Sequence, residues 1–105
     1  MVQHVLVHIH PNPGKEKRCV ELLEWLAGEV KANEPDTSVY QVHETRDEGD
    51  GELMFVVYMV LKDEETIDRR QQLPHNQKLK KILKDEELLR ELKYLRLTNT
   101  GGFRR

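Results

Sequence analysis

The sequence predicts an α+β domain in β-α-β-β-α-β order: a four-stranded antiparallel sheet, helices on one face, and a second copy of the chain over the other. Three observations carry this. The run Leu53-Met-Phe-Val-Val-Tyr-Met-Val-Leu61 has no charge and no turn former. Its β-branched and aromatic residues do not alternate with polar ones, as they would in a half-solvated strand, so it reads as a strand buried on both faces. Helical period is clearest between Lys15 and Asn33, where Cys19, Leu22, Leu23, Leu26, Ala27 and Val30 fall on one stripe. The remaining helical segments suffice to cover one side of a sheet only, which leaves the other side to a partner.

Each element follows in turn. Val2 to His10 alternates, with Val5, Val7 and Ile9 on one face and His4, Leu6, His8 and His10 on the other. Pro11-Asn-Pro-Gly14 ends this strand and opens the first helix, with Asn12 expected as N-cap and Pro13 as the first helical residue. Trp25 flanks the helix stripe as a packing residue, and Asn33-Glu-Pro-Asp36 stops the helix. Ser38 to Thr45 is a second strand, joined through the charged turn Arg46–Gly51 to the long apolar strand as a hairpin. Glu64 to Gln72 is a short polar helix that Pro74 interrupts, and Asn76 to about Leu89 is a further helical stretch. Lys93 to Thr98 is the last strand, with Leu95 and Leu97 facing one way and Tyr94, Arg96 and Thr98 the other. Residues 1–100 form the domain, and Gly101–Arg105 is a tail. This order is the split βαβ, or ferredoxin-like, arrangement, in which right-handed crossovers place the helices on one face. An uncovered apolar face of several side chains is large enough to signal a binding surface, so a homodimer with a chamber between two sheets is expected.

Composition bounds the function. The net charge of −2 excludes general nucleic-acid binding, which needs a basic surface. The single Cys19 cannot form an internal disulfide and lies on the apolar helix stripe as a core residue. Met1 leads into a strand without a basic and apolar leader, and no apolar run approaches the roughly 20 residues that span a bilayer. A cytoplasmic protein with no membrane partner is the expectation.

Pro13-Gly14-Lys15, Tyr40-Gln-Val-His43, Phe55-Val-Val-Tyr58, Lys62-Asp-Glu-Glu65 and Leu73-Pro-His75 occur in an order and spacing that resemble the antibiotic biosynthesis monooxygenase domain of the dimeric α/β-barrel superfamily. The resemblance spans nearly the whole chain. It implies a homodimeric barrel around an apolar cavity. It also implies kinship with enzymes that oxygenate quinols, anthrones and related polyphenols without metal or flavin, and with others that degrade haem. Three positions depart from the family pattern. Met59 stands where a glutamate often follows the tyrosine, Leu61 where an aromatic precedes the Lys-Asp pair, and Arg70 where a histidine usually precedes the proline by four residues.

Cofactor-independent oxygenation requires a base for a phenolic proton, an enclosure that excludes water and a donor near the developing negative charge. His8 and His10 share a strand face, about 6.5–7 Å apart at the backbone. A metal would need a third ligand that the sequence does not identify, so no metal is expected, and the resemblance implies that no cofactor is used. His75, His8 and His10 are the candidate catalytic residues, with His75 also matching a family position. Tyr58, Tyr94, Arg96, Arg70 and His43 are the candidate substrate-binding residues for a small apolar or aromatic ligand. Tyr94 and Arg96 are expected on the open side of the sheet, pointing into the shared chamber. Two other readings stay open: a histidine-dependent cyclase, isomerase or decarboxylase, and a non-catalytic dimeric binding protein.

Overall fold

The computed structural model describes all 105 residues. Its elements are β1 (Gln3–Pro11), α1 (Glu16–Asn33), β2 (Thr37–Arg46), β3 (Leu53–Leu61), α2 (Glu64–Gln71), α3 (Pro74–Asp85) and β4 (Leu89–Leu97). The sheet order is β2-β3-β1-β4, and every neighbouring pair is antiparallel. The predicted ferredoxin-like βαββαβ arrangement is the one observed, with the second crossover split into two helices. None of the helices is long and apolar enough to cross a membrane.

Alternation along the central strands separates two faces. Val5, Val7 and Ile9 of β1 lie opposite Met59, Val57 and Phe55 of β3, and all six are buried beneath α1 in one cluster with Cys19, Leu22 and Leu23. Each such side chain contributes roughly 1.5–3 kcal/mol of burial. Leu79, Ile82 and Leu83 of α3 pack against the same cluster from its side. The reverse face presents Leu6, His8, Val56 and Tyr58, flanked by Leu95 and Leu97 of β4. No helix covers it.

Two local expectations are corrected. Asn12 does not cap α1, whose N-cap is Lys15 without a side-chain hydrogen bond. Residues 12–15 instead form a turn closed by Lys15 N–H donating to the Asn12 carbonyl at 3.0 Å. Pro13 supplies its second position and Gly14, at φ 83°, the third, where a positive φ is required. Asn12 is thereby freed to pin a distant loop. Its backbone N–H donates to the Leu88 carbonyl at 2.8 Å, and its Nδ2 donates to the Glu87 carbonyl at 2.7 Å.

That loop is the second correction, because α3 ends at Asp85 and Leu88 lies outside it. Glu87 adopts φ 49°, Glu87 N–H donates to Lys84 O and Leu88 N–H donates to Leu83 O, each at 3.2 Å. This is a Schellman termination with glutamate where glycine is usual. It turns Leu88 into the core at 0% exposure and starts β4 at Leu89 rather than Lys93. Leu88 therefore joins helix, turn and sheet. Leu88→Ala is expected to destabilise the chain by about 2–5 kcal/mol in urea titration. A loss below about 1 kcal/mol would show that the site collapses around the smaller side chain.

Candidate functional site

An apolar cleft of about 410 Å³ lies on the helix side of the sheet, beside α3 and β4. It narrows inward to a pocket of about 70 Å³ under α1. Met59, Arg70, Asn76, Leu83 and Tyr94 border both parts. The outer volume falls within the range of small-molecule sites, about 300–1,000 Å³. Polar atoms are few and come from four places: Tyr40 on β2, Arg70 on α2, Asn76 on α3 and Tyr94 on β4, with Gln71, Lys80 and Arg96 towards the mouth.

The register explains why β4 contributes. Leu92, Tyr94 and Arg96 stand opposite Ile9, Val7 and Val5, so they share the helix-side face. This overturns the expectation that Tyr94 and Arg96 point to the open side. The two residues do face one cavity, but that cavity is formed within a single chain. The helices leave the β4 end uncovered, and Tyr94 remains 62% exposed at the opening. Burial pushes the Tyr40 hydroxyl up to about 12, with the nearby Arg70 charge pulling the other way. Tyr40 is therefore a hydrogen-bond donor at neutral pH, not a base.

Arg70 is held by a buried carboxylate. Glu34 ends α1, next to Pro35, and its side chain is 2% exposed. Arg70 Nε donates to Glu34 Oε1, and Arg70 Nη2 lies 3.5 Å from Oε2. His75 Nε2 contacts Oε2 at 2.5 Å, Asn76 Nδ2 at 3.3 Å, and Thr37 Oγ1 donates to Oε1 at 3.0 Å. An ionised carboxylate can only accept, so His75 carries its proton on Nε2. Arg70 Nη1 points the other way, 3.3 Å from the Met59 sulfur on the cavity wall. Asn76 also donates to the Arg70 carbonyl at 2.7 Å, fixing the α2–α3 corner. Sequence reasoning missed Glu34, because beside Pro35 it reads only as a helix stop.

The histidines are dispersed. His75 is buried at the start of α3 with its Nε2 committed to Glu34, and it does not border the cavity. His8 and His10 lie on the open, reverse face of the sheet, as their alternation with Val5, Val7 and Ile9 predicts, and so stand apart from the helix-side cavity. His8 stands between Val56 and Lys93 in the ladders. His10 Nδ1 lies 3.5 Å from Arg90 Nη2, and its Nε2 lies 4.0 Å from Glu91. His43, opposite Val56, and Tyr58, opposite Leu6, occupy that face too. Tyr58 meets His4 Nδ1 at 2.8 Å with the rings stacked. Arg96 Nη1 donates to Glu64 Oε1 at 3.2 Å, which makes it a rim arginine with an acidic neighbour. No three His, Cys, Asp or Glu side chains converge as a metal-ligand set.

Burial alone would raise the Glu34 carboxyl, but hydrogen bonds from Arg70 and His75, the Arg70 charge and the Thr37 hydroxyl hold it below the usual carboxylate value. A depressed native value means stability that is fully present above the unfolded-state value and lost as pH falls through the native one. Urea titrations are expected to show stability declining as pH falls below the ordinary carboxylate range, with Glu34→Gln shallower there. Equal slopes for the native chain and the variant would remove Glu34 as a source of acid sensitivity.

No protein-family model matches the sequence, and no curated protein matches it. Solved structures do match the fold. Rv0793 from Mycobacterium tuberculosis is 19% identical, with a TM-score of 0.79 over 97% of this chain and 98% of that one. A Bacteroides thetaiotaomicron protein named "putative antibiotic biosynthesis monooxygenase" is 15% identical, with a TM-score of 0.76 over 99% and 95%. A Bacteroides fragilis protein described as dimeric and of ferredoxin-like fold is 10% identical, with a TM-score of 0.74 over 91% and 94%. At these identities the likeness shows the fold, and the chain has the ferredoxin-like fold that the residue pattern resembles.

Proposed function

We propose that the chain binds a small, flat, hydroxylated aromatic molecule in the helix-side cavity and oxygenates it without a cofactor. The carrying observation is the cavity itself. Its inner part is bordered almost wholly by apolar side chains, and the polar exceptions are Arg70, Asn76 and the two tyrosines. Apolar walls favour a planar hydrocarbon body, and the few donors orient its oxygens. Ionisation of a substrate hydroxyl, its proton passing to water at the open mouth of the cleft, makes the ring electron-rich. Dioxygen is the oxidant: one oxygen atom enters the substrate and the other leaves as water. Arg70, with Tyr40 and Tyr94 nearby, supplies positive charge and donors for the negative substrate oxygen. The monooxygenase name carried by one protein of this fold supports the reaction class.

A second copy completes the assembly in this reading. The open face carries an apolar patch of Leu6, Val56, Leu95 and Leu97 among its histidines and has no helix over it, and the Bacteroides fragilis protein of the same fold is described as dimeric. Val56→Arg would place an unpaired charge in that interface. Sedimentation is expected to give a dimer for the native chain and a monomer for the variant. A native monomer at about 10 μM, an affinity weaker than about −7 kcal/mol, would contradict the pairing.

The non-catalytic reading is favoured by one observation: no imidazole or carboxylate borders the cavity, so no side chain of ordinary basicity is placed to take the phenolic proton. An oxygen electrode separates the two. With a quinol or an anthrone and no added cofactor, oxygen uptake is expected, and Tyr94→Phe should lower it by roughly 10-fold or more. Ligand-induced rises in melting temperature without uptake across several such substrates would leave a binding protein.

A further inference from the structure

We propose that Arg70 is the oxyanion-recognising group of the cavity and that Glu34 sets its strength, so that the ligand carries one anionic oxygen, carboxylate or phenolate, on its apolar body. This rests on the reading of the cavity as a ligand site.

A guanidinium has five N–H donors in a fixed fork. In Arg70 the Nε and Nη2 edge is turned to Glu34, whereas Nη1 meets only the Met59 sulfur, a weak acceptor. The unspent donors therefore lie at the cavity wall. Glu34 is saturated by Arg70, His75, Asn76 and Thr37 and does not border the cavity, so no ligand displaces it from Arg70. The charge of the walls points the same way. Arg70 and Lys80 border the outer part, Arg96 stands at its rim paired with Glu64, and no Asp or Glu lines the cavity itself.

Glu34 and a ligand oxygen would occupy opposite edges of the same guanidinium. The ligand oxygen is then nearer to the cation than to the carboxylate, and attraction exceeds repulsion because both fall with distance. The carboxylate subtracts from the attraction without cancelling it. Glutamine at position 34 can still accept from Arg70 Nε through its amide oxygen, keeping the fork in place while removing the opposing charge. Loss of Arg70 and loss of the Glu34 charge should therefore act in opposite directions. A cluster that only held the fold together would move both variants the same way.

The test is calorimetric titration near neutral pH with a matched pair of probes, 2-naphthoate and 2-naphthamide, into the full chain. The native protein is expected to bind the naphthoate roughly tenfold more tightly than the amide. Arg70→Met should abolish that preference, so that both probes bind with equal affinity, and Glu34→Gln should increase it several-fold. The double variant Glu34→Gln/Arg70→Met removes both charges together, which a fold tolerates better than a lone buried carboxylate. It should show no preference between the probes, and it carries the test if Arg70→Met does not fold. A preference unchanged in the Arg70 variants, or lost equally in Glu34→Gln, would overturn the assignment. Equal native affinity for both probes would sink it and leave the cavity reading standing. Native binding of neither probe would overturn both.

Discussion

One buried carboxylate joins most of the fold. Glu34 closes α1, and through it the helix end is tied to Thr37 at the start of β2, Arg70 near the end of α2, and His75 and Asn76 in the first turn of α3. A buried charge of this kind is costly unless every lone pair is met, and here hydrogen bonds come from four side chains. The group that balances the charge is also the group that borders the cavity. Fold and site thus share a single electrostatic arrangement: the acid that fixes the α2–α3 corner aims Arg70.

This explains how a cavity survives in so small a domain. The crossover after β3 is broken into two helices at Leu73-Pro74, and α3 packs on the core through Leu79, Ile82 and Leu83. The corner between the helices stands away from β4, and the space beneath it is bounded by Arg70, Asn76 and Tyr94. A continuous helix lying flat on the sheet would fill that space. Proline at the first position of α3 costs no hydrogen bond, so the break is inexpensive in stability.

Much of the architecture was legible in the residues. Period two in Val5-Leu-Val-His-Ile9 and period 3.6 in Cys19, Leu22, Leu23, Leu26 and Val30 specify which side chains enter the core, and these residues are buried. The uninterrupted apolar run Leu53–Leu61 reads correctly as a strand, and it is an inner strand of the sheet. The face taken by β4 was not legible. Leu95 and Leu97 are more apolar than Tyr94 and Arg96, so apolar-inward logic sends the leucines to the core. The pairing with β1 does the reverse, because the helix side of β4 borders a cavity and its other side belongs to an apolar face that no helix covers. The Glu34 cluster was illegible for a different reason. Apart from Thr37, its partners lie 36 to 42 positions away, and no local period reports an ion pair across that separation.

The central claim is that ligand chemistry takes place between the sheet and its own helices, at the wall Arg70 shares with Met59, and not on the reverse face that carries His8 and His10. The methionines provide a direct readout, because Met59 borders the cavity and Met54 lies on the opposite side of the same strand. With ¹³C-methyl-labelled methionine, titration of 2-naphthoate is expected to shift the Met59 methyl resonance in NMR spectra and leave Met54 in place. A shift at Met54 with Met59 unmoved would put the ligand on the other face and contradict the account.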